Sequence, residues 1–359
     1  MPISGNKGEW SEIYAFFKLL GDKSLVAGDK NMAKIERLIY PIIKILREEK
    51  DGSIEYIIEG DFILIKHNAG DLKYSIRTFS ENAVKLLEKI KAATGSSFEF
   101  PETEEFMYAV KCKTLKAKSS DKTDIRMVIH DPITSLNPTL GFSIKSRLGN
   151  HSTLLNASKA TNFVFKIENV TLDEETIYDI NSINTKSKII DRLKRLKELG
   201  ANLKFNSIDS EVFSCNLELI DSKLPHIIAE MLKVHFYEQK SGLKEIVCYL
   251  QNENPINYNL KHNHLFYEYK VRKFLTDIAL GLTPAQPWDG VYEANGGYLI
   301  IREDGEIICY HIYNWNEFEE YLLNNTKLDT SSTTRYQYAL IEKNGEDTLI
   351  KLNLQIRFK

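Results

Sequence analysis

The sequence has little of what would place it in a specialised class of protein. Its 359 residues include 47 Lys and Arg against 50 Asp and Glu, so the formal net charge is only −3. A chain so close to neutral has no overall field to attract nucleic acid, and any basic surface has to be local. The four cysteines have no paired spacing, which argues against a zinc site and a disulfide scaffold and fits a reducing cytoplasm. They are Cys112, Cys215, Cys248 and Cys309.

Several common signatures are also missing. The N-terminus has no basic segment followed by an apolar one, and no apolar run approaches membrane length, so we expect a soluble cytoplasmic protein with no membrane partner. No G-x-x-x-x-G-K-[ST], G-x-G-x-x-G or G-x-S-x-G motif occurs, which leaves ATP-driven, NAD-driven and serine-elbow chemistry without support. His262 and His264 lack a partner at metal-ligand spacing.

The pattern of apolar residues predicts an α+β fold, with a mixed β-sheet core flanked by helices and additional C-terminal α/β elements. Helices are predicted over 8–20, 31–50 (divided near Pro41), 81–93, 153–161, 174–200, 222–237, 262–278 and 317–323. Strands are predicted over 53–59, 61–67, 124–130, 141–146, 201–208, 211–220, 298–302 and 306–313, with a final pair joined near Asn344-Gly345. No linker forces a boundary, so 1–170 as a core and 171–359 as a C-terminal part is a working division.

The stretch from Lys116 to Ser146 carries the strongest chemical signal. Asp124 begins one predicted strand, and Asp131-Pro132 ends it with turn residues. In the next strand Ser143 and Lys145 lie two residues apart, so their side chains point to the same face. If the two strands pair, a carboxylate lies beside an ammonium group. This combination suits metal-assisted cleavage of a phosphodiester, although the pattern alone is weak.

A local excess of basic residues surrounds this stretch. Six of them fall in a short window, and a polar segment over 147–166 follows. Such groups can contact phosphates and base edges, but a solvated face is the ordinary role of a charge run. The six are Lys111, Lys113, Lys116, Lys118, Lys122 and Arg126.

Longer blocks of the sequence resemble the HpaII-type restriction endonucleases from end to end. They include GNKGEWSEIYAFFKLL, LKAKSSDKTDIRMVIHDP, NPTLGFSIKSRLG, STLLNASKATNF, PWDGVYEANGGY and IKLNLQIRF. The resemblance implies a restriction-endonuclease-like fold and a Mg²⁺-dependent type II enzyme of the PD-(D/E)xK nuclease class. Such an enzyme cuts a short palindrome in double-stranded DNA, which for this group is CCGG, and works beside a cognate DNA methyltransferase.

Carried over to this chain, the resemblance makes Asp124 the aspartate of the motif and Lys145 its lysine. Asp121 competes with Asp124, which we prefer because it begins the strand. Ser143 stands where the motif has its second acid, and a hydroxyl is a poorer metal ligand than a carboxylate. Another acid then supplies the missing charge: Glu12, Glu9 or Asp121.

Glu9 and Glu12 lie three residues apart in the first turns of the first predicted helix, where carboxylates also complement the helix dipole. The helix before the motif often donates an acid in this nuclease class, which favours Glu12. The implied metal ligands are then Asp124, Glu12 and the main-chain carbonyl of Ile144, with Asp121 as the alternative.

The remaining roles are assigned more loosely. Backbone phosphates are expected to contact Lys118, Lys122, Arg147 and Lys159, and bases to contact Asn156, Asn162, Asn324, Asn325 and Arg335. Two other functions stay open: a modification-dependent or structure-specific DNA nuclease, and a non-catalytic DNA-binding protein. The oligomeric state also stays open, since a palindrome suits a symmetric dimer but monomers of this class can cut each strand in turn.

Overall fold

The computed structural model describes residues 2–49, 52–116, 123–132, 134–149 and 151–359. The chain forms two compact units, each built from two stretches of sequence. The first unit is Met1–Ser152 with Tyr292–Tyr321, and the second is Thr153–Val291 with Leu322–Lys359. The working division near residue 170 differs from this one, because residues 292–321 return to the first unit.

The helices and strands follow one another in three successive parts of the chain. Residues 2–152 contain β1 Ser4–Gly5, α1 Lys7–Asp22, β2 Ser24–Gly28, β3 Lys34–Glu49, β4 Gly52–Glu59, β5 Phe62–Lys66, β6 Leu72–Ser75, α2 Ile76–Ala92, β7 Phe98–Glu99, α3 Pro101–Ala109, β8 Ile125–Ile129 and β9 Thr139–Ser146. Residues 153–291 contain β10 Thr153–Leu155, β11 Asn162–Glu168, α4 Glu174–Ser182, α5 Lys188–Glu198, β12 Asn202–Ile208, α6 Glu211–Ile220, α7 Leu224–Tyr237, α8 Leu243–Glu253 and α9 Phe266–Leu280. The rest contains β13 Gly297–Ile301, β14 Ile307–His311, α10 Trp315–Asn325, β15 Thr326–Leu328, α11 Thr333–Tyr336, β16 Ile341–Asn344, β17 Asp347–Asn353 and β18 Ile356–Phe358.

A mixed sheet of nine strands forms the centre of the first unit. Its order is β2-β14-β13-β9-β8-β3-β4-β5-β6, and β2 pairs additionally with β3. The pairs β13–β9 and β14–β2 are parallel, whereas the other pairs of this sheet are antiparallel. The predicted α+β class with a mixed sheet and flanking helices is therefore confirmed.

Helix α1 packs against the sheet and fixes one wall of the site described below. It starts with a capping box, in which the Asn6 side chain accepts from the Glu9 N–H and the Glu9 carboxylate accepts from the Asn6 N–H. Its apolar stripe is fully buried, and a hydrogen bond of 2.8 Å between the Ser11 and Ser146 hydroxyls ties the helix to β9. The stripe includes Trp10, Ile13, Phe16, Phe17 and Leu20.

The helix predicted over residues 31–50 is wrong, because this segment forms the 16-residue strand β3. The segment is rich in isoleucine, which favours strands, and a proline in a helix interior would remove a hydrogen bond. In β3, Pro41 instead lies opposite Ser24 of β2, and its carbonyl accepts from the N–H of His130. The first half of β3 pairs with β2, and the second half pairs with β4 and β8.

The second unit contains two smaller sheets and most of the other helices. The sheet orders are β12-β11-β17-β16 and β10-β18-β15. The strand predicted over 211–220 is wrong: it is helix α6, whose N-cap Ser210 accepts from the N–H of Phe213. The helix predicted over 153–161 is also wrong, since β10 and a short 3-10 helix, Lys159–Thr161, occupy it. Among the described residues, no helix is long and apolar enough to cross a membrane.

Candidate active site

Strands β8 and β9 form the predicted antiparallel hairpin and position the first acid. Ile125 lies opposite Phe142, and the N–H of Asp124 donates to the carbonyl of Phe142 at 2.9 Å. Asp124 therefore still belongs to the ladder although it precedes the strand by one residue. Its side chain is half-buried beside β9.

The Asp124 carboxylate is held through one of its two oxygens. Oδ2 accepts from the Ser143 hydroxyl at 3.0 Å and from the Ile144 N–H at 2.6 Å. Ser143 is buried, with 3% of its surface exposed. The serine at the second acidic position of the motif thus donates a hydrogen bond to the first acid, which is a different task from binding a metal.

Glu12 of α1 lies in the electrostatic field of Asp124. Burial of its carboxyl group, followed by the negative charge of Asp124, raises the pKa of Glu12 to about 8. The cations of Lys116, Arg47 and Lys145 oppose this rise. The structure therefore brings together an acid from the N-terminal helix and the acid of the hairpin, although more than 100 residues separate them in sequence.

Lys145 completes this group from the same strand as Ser143. Burial holds the pKa of its ammonium group below the usual value, although the charges of Asp124 and Glu12 oppose this shift. The Nζ atom lies 5.3 Å from the ring centroid of Tyr298 in the neighbouring strand β13. A half-buried cation thus lies in the electrostatic field of two acids and near an aromatic ring.

Glu9, the other candidate acid on α1, is already used. Its Oε2 accepts from the Asn6 N–H at 2.7 Å, and its Oε1 lies 2.9 Å from the Nζ of Lys116. Burial raises its pKa, but the Asn6 N–H and Lys116 outweigh this effect and hold the pKa below its usual value. Capping and ion pairing therefore account for Glu9, whereas Glu12 lies beside Asp124.

A cavity of about 760 Å³ opens next to these residues, entirely within the first unit. Glu12, Ile144 and Lys145 line it, together with polar residues from the N-terminal end of α1, from the chain after α2, and from the end of β9 onward. Those polar residues include Asn6, Lys7, Ser96, Ser146 and Ser152. A cavity of this size with hydroxyl, amide and ammonium groups can accommodate an anionic group such as a phosphate.

The donor set is small for a metal site. Within the described ranges, no group of three or more His, Cys, Asp or Glu residues is arranged to hold a metal ion. Asp121, Lys118 and Lys122, which the sequence proposed as a ligand and as phosphate contacts, lie outside the described residues. Of the four candidate acids, Asp124 and Glu12 are therefore the described ones that are not engaged in a cap, since Glu9 is bonded to the Asn6 N–H.

The other residues proposed for DNA contact are spread over both units. In the first unit, Arg147 follows β9, with its Nε 3.8 Å from Glu303. In the second unit, Asn156 and Lys159 are exposed, and Arg335 is exposed with its guanidinium 5.4 Å from the ring centroid of Tyr336.

The other three asparagines for which base contact was predicted lie in different environments in the second unit. Asn162 is 1% exposed, and its amide donates to Asp209 and to the carbonyl of Tyr336. This burial favours a structural role for Asn162 over base contact. Asn324 and Asn325 are half-buried, and their main-chain carbonyls accept from the side chain and the N–H of Lys359.

Sequence reasoning missed one residue of the site, Tyr298. It lies opposite Ser143 in the parallel pair β13–β9, and it is 2% exposed. The sequence predicted its strand correctly. It contained no signal that this strand would pair with β9, since more than 150 residues separate the two.

Comparisons with known proteins give an independent finding. A family model described as HpaII restriction endonuclease matches residues 6–358. The chain is 46% identical to the type II restriction enzyme HpaII of Haemophilus parainfluenzae over 359 residues, which cover 99% of each chain. No solved structure matches the chain. The match to the family model extends over every residue of the site described above.

Proposed function

The chain belongs to the HpaII restriction endonuclease family and is a type II site-specific deoxyribonuclease, and we propose that it cuts the palindrome CCGG in double-stranded DNA with the help of Mg²⁺. The observation that carries the mechanism is that Glu12 and Lys145 line one cavity, while the neighbouring residues Ser143 and Ile144 of the same strand hold the Asp124 carboxylate. A mixed sheet with flanking helices is consistent with a restriction-endonuclease-like fold for the first unit.

The chemistry of the donor set fits Mg²⁺. This ion prefers oxygen ligands, and one or two carboxylates with several waters usually bind it. Asp124 and Glu12 supply two carboxylates, and a bound cation would favour the ionised form of Glu12, whose pKa is raised by burial and by the charge of Asp124. Ile144 donates its N–H to Asp124, and the N–H and C=O of one strand residue point to the same side. We therefore assign Asp124, Glu12 and the Ile144 carbonyl as the ligands.

Each protein group then has a defined task in phosphodiester hydrolysis. When bound, the metal supplies Lewis acidity toward the scissile phosphate and favours ionisation of water. Lys145 orients the attacking water or stabilises the negative charge that develops at the pentavalent phosphorus. Ser143 holds the Asp124 carboxylate through Oδ2, so that Oδ1 is presented in a fixed direction.

The DNA contacts are proposed from charge and exposure. Lys7 and Ser152 in the cavity wall, and Arg147 after β9, are proposed to contact backbone phosphates near the scissile bond. Lys159 and Asn156 extend this set in the second unit, and Arg335 is proposed to read guanine, because arginine pairs with two acceptors of guanine in the major groove.

Two partners are proposed beyond the DNA itself. A cognate methyltransferase would protect the host sequence in a restriction-modification system. A second copy of the chain would match the symmetry of a palindrome, whereas a monomer would cut the two strands in succession. Sedimentation of the protein with and without a duplex containing one site distinguishes these two states.

Replacing Lys145 by alanine tests the mechanism. We expect Lys145→Ala to reduce cleavage of plasmid DNA in Mg²⁺ by roughly a thousandfold, because loss of a positioned electrostatic group typically has this effect. Binding of the same DNA without metal should change little. The matched control is Lys66→Ala, which removes an exposed lysine from β5 of the same sheet.

The digestion also separates the competing functions. Discrete fragments whose sequenced ends fall in CCGG support the proposal. Cutting of methylated DNA alone indicates a modification-dependent nuclease, and a mobility shift without cutting indicates a DNA-binding protein. Full activity of Lys145→Ala would remove this lysine from the mechanism.

A further inference from the structure

Tyr298 reaches the site from a strand that the motif does not include. In the parallel pair β13–β9, Tyr298 lies opposite Ser143 and Ile300 lies opposite Lys145. Residues opposite one another point to the same face, so the tyrosine shares its face with both Ser143 and Lys145. Phe318 packs against the ring, with centroids 5.2 Å apart, and limits its movement.

The Tyr298 hydroxyl takes part in a directed chain of hydrogen bonds. It is bonded to Ser143, whose own hydroxyl lies 3.0 Å from Oδ2 of Asp124. An ionised carboxylate only accepts, so Ser143 must donate its single proton to Asp124. The bond between Tyr298 and Ser143 then requires the tyrosine to donate. Burial and the charge of Asp124 raise the pKa of Tyr298, and the bond with Ser143 opposes this rise only in part.

The ring of the same residue supports the lysine. The Nζ of Lys145 lies 5.3 Å from the ring centroid, within the range of a cation–π interaction. The hydroxyl of the buried Tyr298 therefore contacts Ser143, which orients Asp124. The ring of Tyr298 contacts Lys145.

We propose that Tyr298 is a positioning residue of the nuclease, which holds Ser143 against Asp124 through its hydroxyl and keeps the Lys145 ammonium group in place through its ring. This inference rests on the proposed roles of Asp124 and Lys145. It also explains how the site works with a serine at the second acidic position. The Ser143 hydroxyl accepts from Tyr298 and donates to Asp124, so it is fixed in a chain of hydrogen bonds.

Two substitutions separate the two contacts. Tyr298→Phe removes the hydroxyl and keeps the ring, and it should lower kcat about tenfold, because small displacements of catalytic groups have large effects on rate. Tyr298→Leu removes both contacts and should lower kcat about a hundredfold. The KM, and the Kd for DNA measured in EDTA, should stay within about twofold for both variants, since neither contact touches the proposed DNA-binding groups.

A double-mutant cycle with Ser143→Ala distinguishes positioning from general packing. If the hydroxyl acts through Ser143, adding Tyr298→Phe to Ser143→Ala should reduce kcat no further. Tyr310→Phe is the matched control. It removes the hydroxyl of another buried tyrosine that packs on Phe318, but this hydroxyl donates to the carbonyl of Asp29, and kcat should be unchanged.

Each outcome is decisive. Wild-type kcat in Tyr298→Phe, an equal loss in Tyr310→Phe, or additive losses in the cycle would overturn the inference while the wild-type protein still cleaves DNA. If the wild-type protein fails to cleave, the proposed function itself fails. Tyr298→Phe differs from the wild type by one oxygen, and its thermal unfolding shows that the comparison is made between folded proteins.

Discussion

Replacing Glu12 by glutamine should stabilise the metal-free protein at alkaline pH, although it should inactivate the enzyme. Burial and the charge of Asp124 raise the pKa of Glu12 to about 8, so ionisation of this side chain opposes folding. Glutamine has nearly the same shape and carries no charge. The substitution thus removes a proposed metal ligand and, with it, a source of instability.

The magnitude follows from the difference in pKa between the folded and unfolded chain. The folded protein binds the Glu12 proton more tightly than the unfolded chain does. The contribution of this proton to the free energy of unfolding is therefore fully present below about pH 4.5 and is lost as the pH rises through about 8. The change from 4.5 to about 8 corresponds to at most about 5 kcal/mol, at 1.36 kcal/mol per pKa unit. Because Glu12 borders a cavity open to water, screening reduces this limit, and we expect a gain of about 2 kcal/mol at pH 9.

Urea denaturation in EDTA at pH 5 and pH 9 measures the effect. The gain of Glu12→Gln over the wild type should be about 2 kcal/mol larger at pH 9 than at pH 5. Glu88→Gln, which changes an exposed glutamate of α2, should show no such dependence. An equal gain at both pH values, or a loss at pH 9, would refute the raised pKa of Glu12 in the folded protein.

Two further substitutions test the groups around the site. Ser143→Ala removes a donor to Asp124 and should lower kcat about tenfold in single-turnover cleavage, with the Kd for DNA unchanged; an unaltered kcat would mean that the Ile144 N–H alone orients the carboxylate. Arg47→Met removes the partner of Glu49, whose side chain is fully buried, and should reduce the free energy of unfolding by about 3–5 kcal/mol in a urea titration. A change below about 1 kcal/mol would show that the pair contributes little.

The parts of the site that depend on local sequence could be predicted. Period-2 alternation placed Ser143 and Lys145 on one face, and turn residues at Asp131-Pro132 separated the two strands, so the hairpin was predicted correctly. The strands over 298–302 and 306–313 were also predicted correctly, and Asp304-Gly305, a dipeptide typical of hairpin turns, lies in the turn that joins them as β13 and β14. Turn chemistry and strand alternation are local properties, and they are readable without knowledge of the fold.

The parts that depend on strand order could not be predicted. β13 pairs in parallel with β9 across more than 150 residues, and no spacing in the sequence encodes that choice. Tyr298 could therefore not be assigned to the site although its strand was correct. The prediction of a helix in place of β3 was wrong for a related reason. The two halves of β3 pair with different neighbours, and this tertiary pairing decides the conformation of an apolar segment that also suits a helix.

The choice between Glu9 and Glu12 could be predicted in part, because the sequence holds a capping signal in addition to the spacing of the two acids. Asn6 and Glu9 form an N-x-x-E pattern before an apolar run, which is the signature of a capping box and engages Glu9 with the Asn6 N–H. A carboxylate engaged in this way is a poor candidate for a second task in the same helix. Glu12 lies almost one turn further along α1, past the cap, and lines the cavity beside Lys145. The capping rule is a local property that favours Glu12 from the residue types alone, whereas the raised pKa of Glu12 depends on its burial and on the approach of Asp124, which only the fold provides.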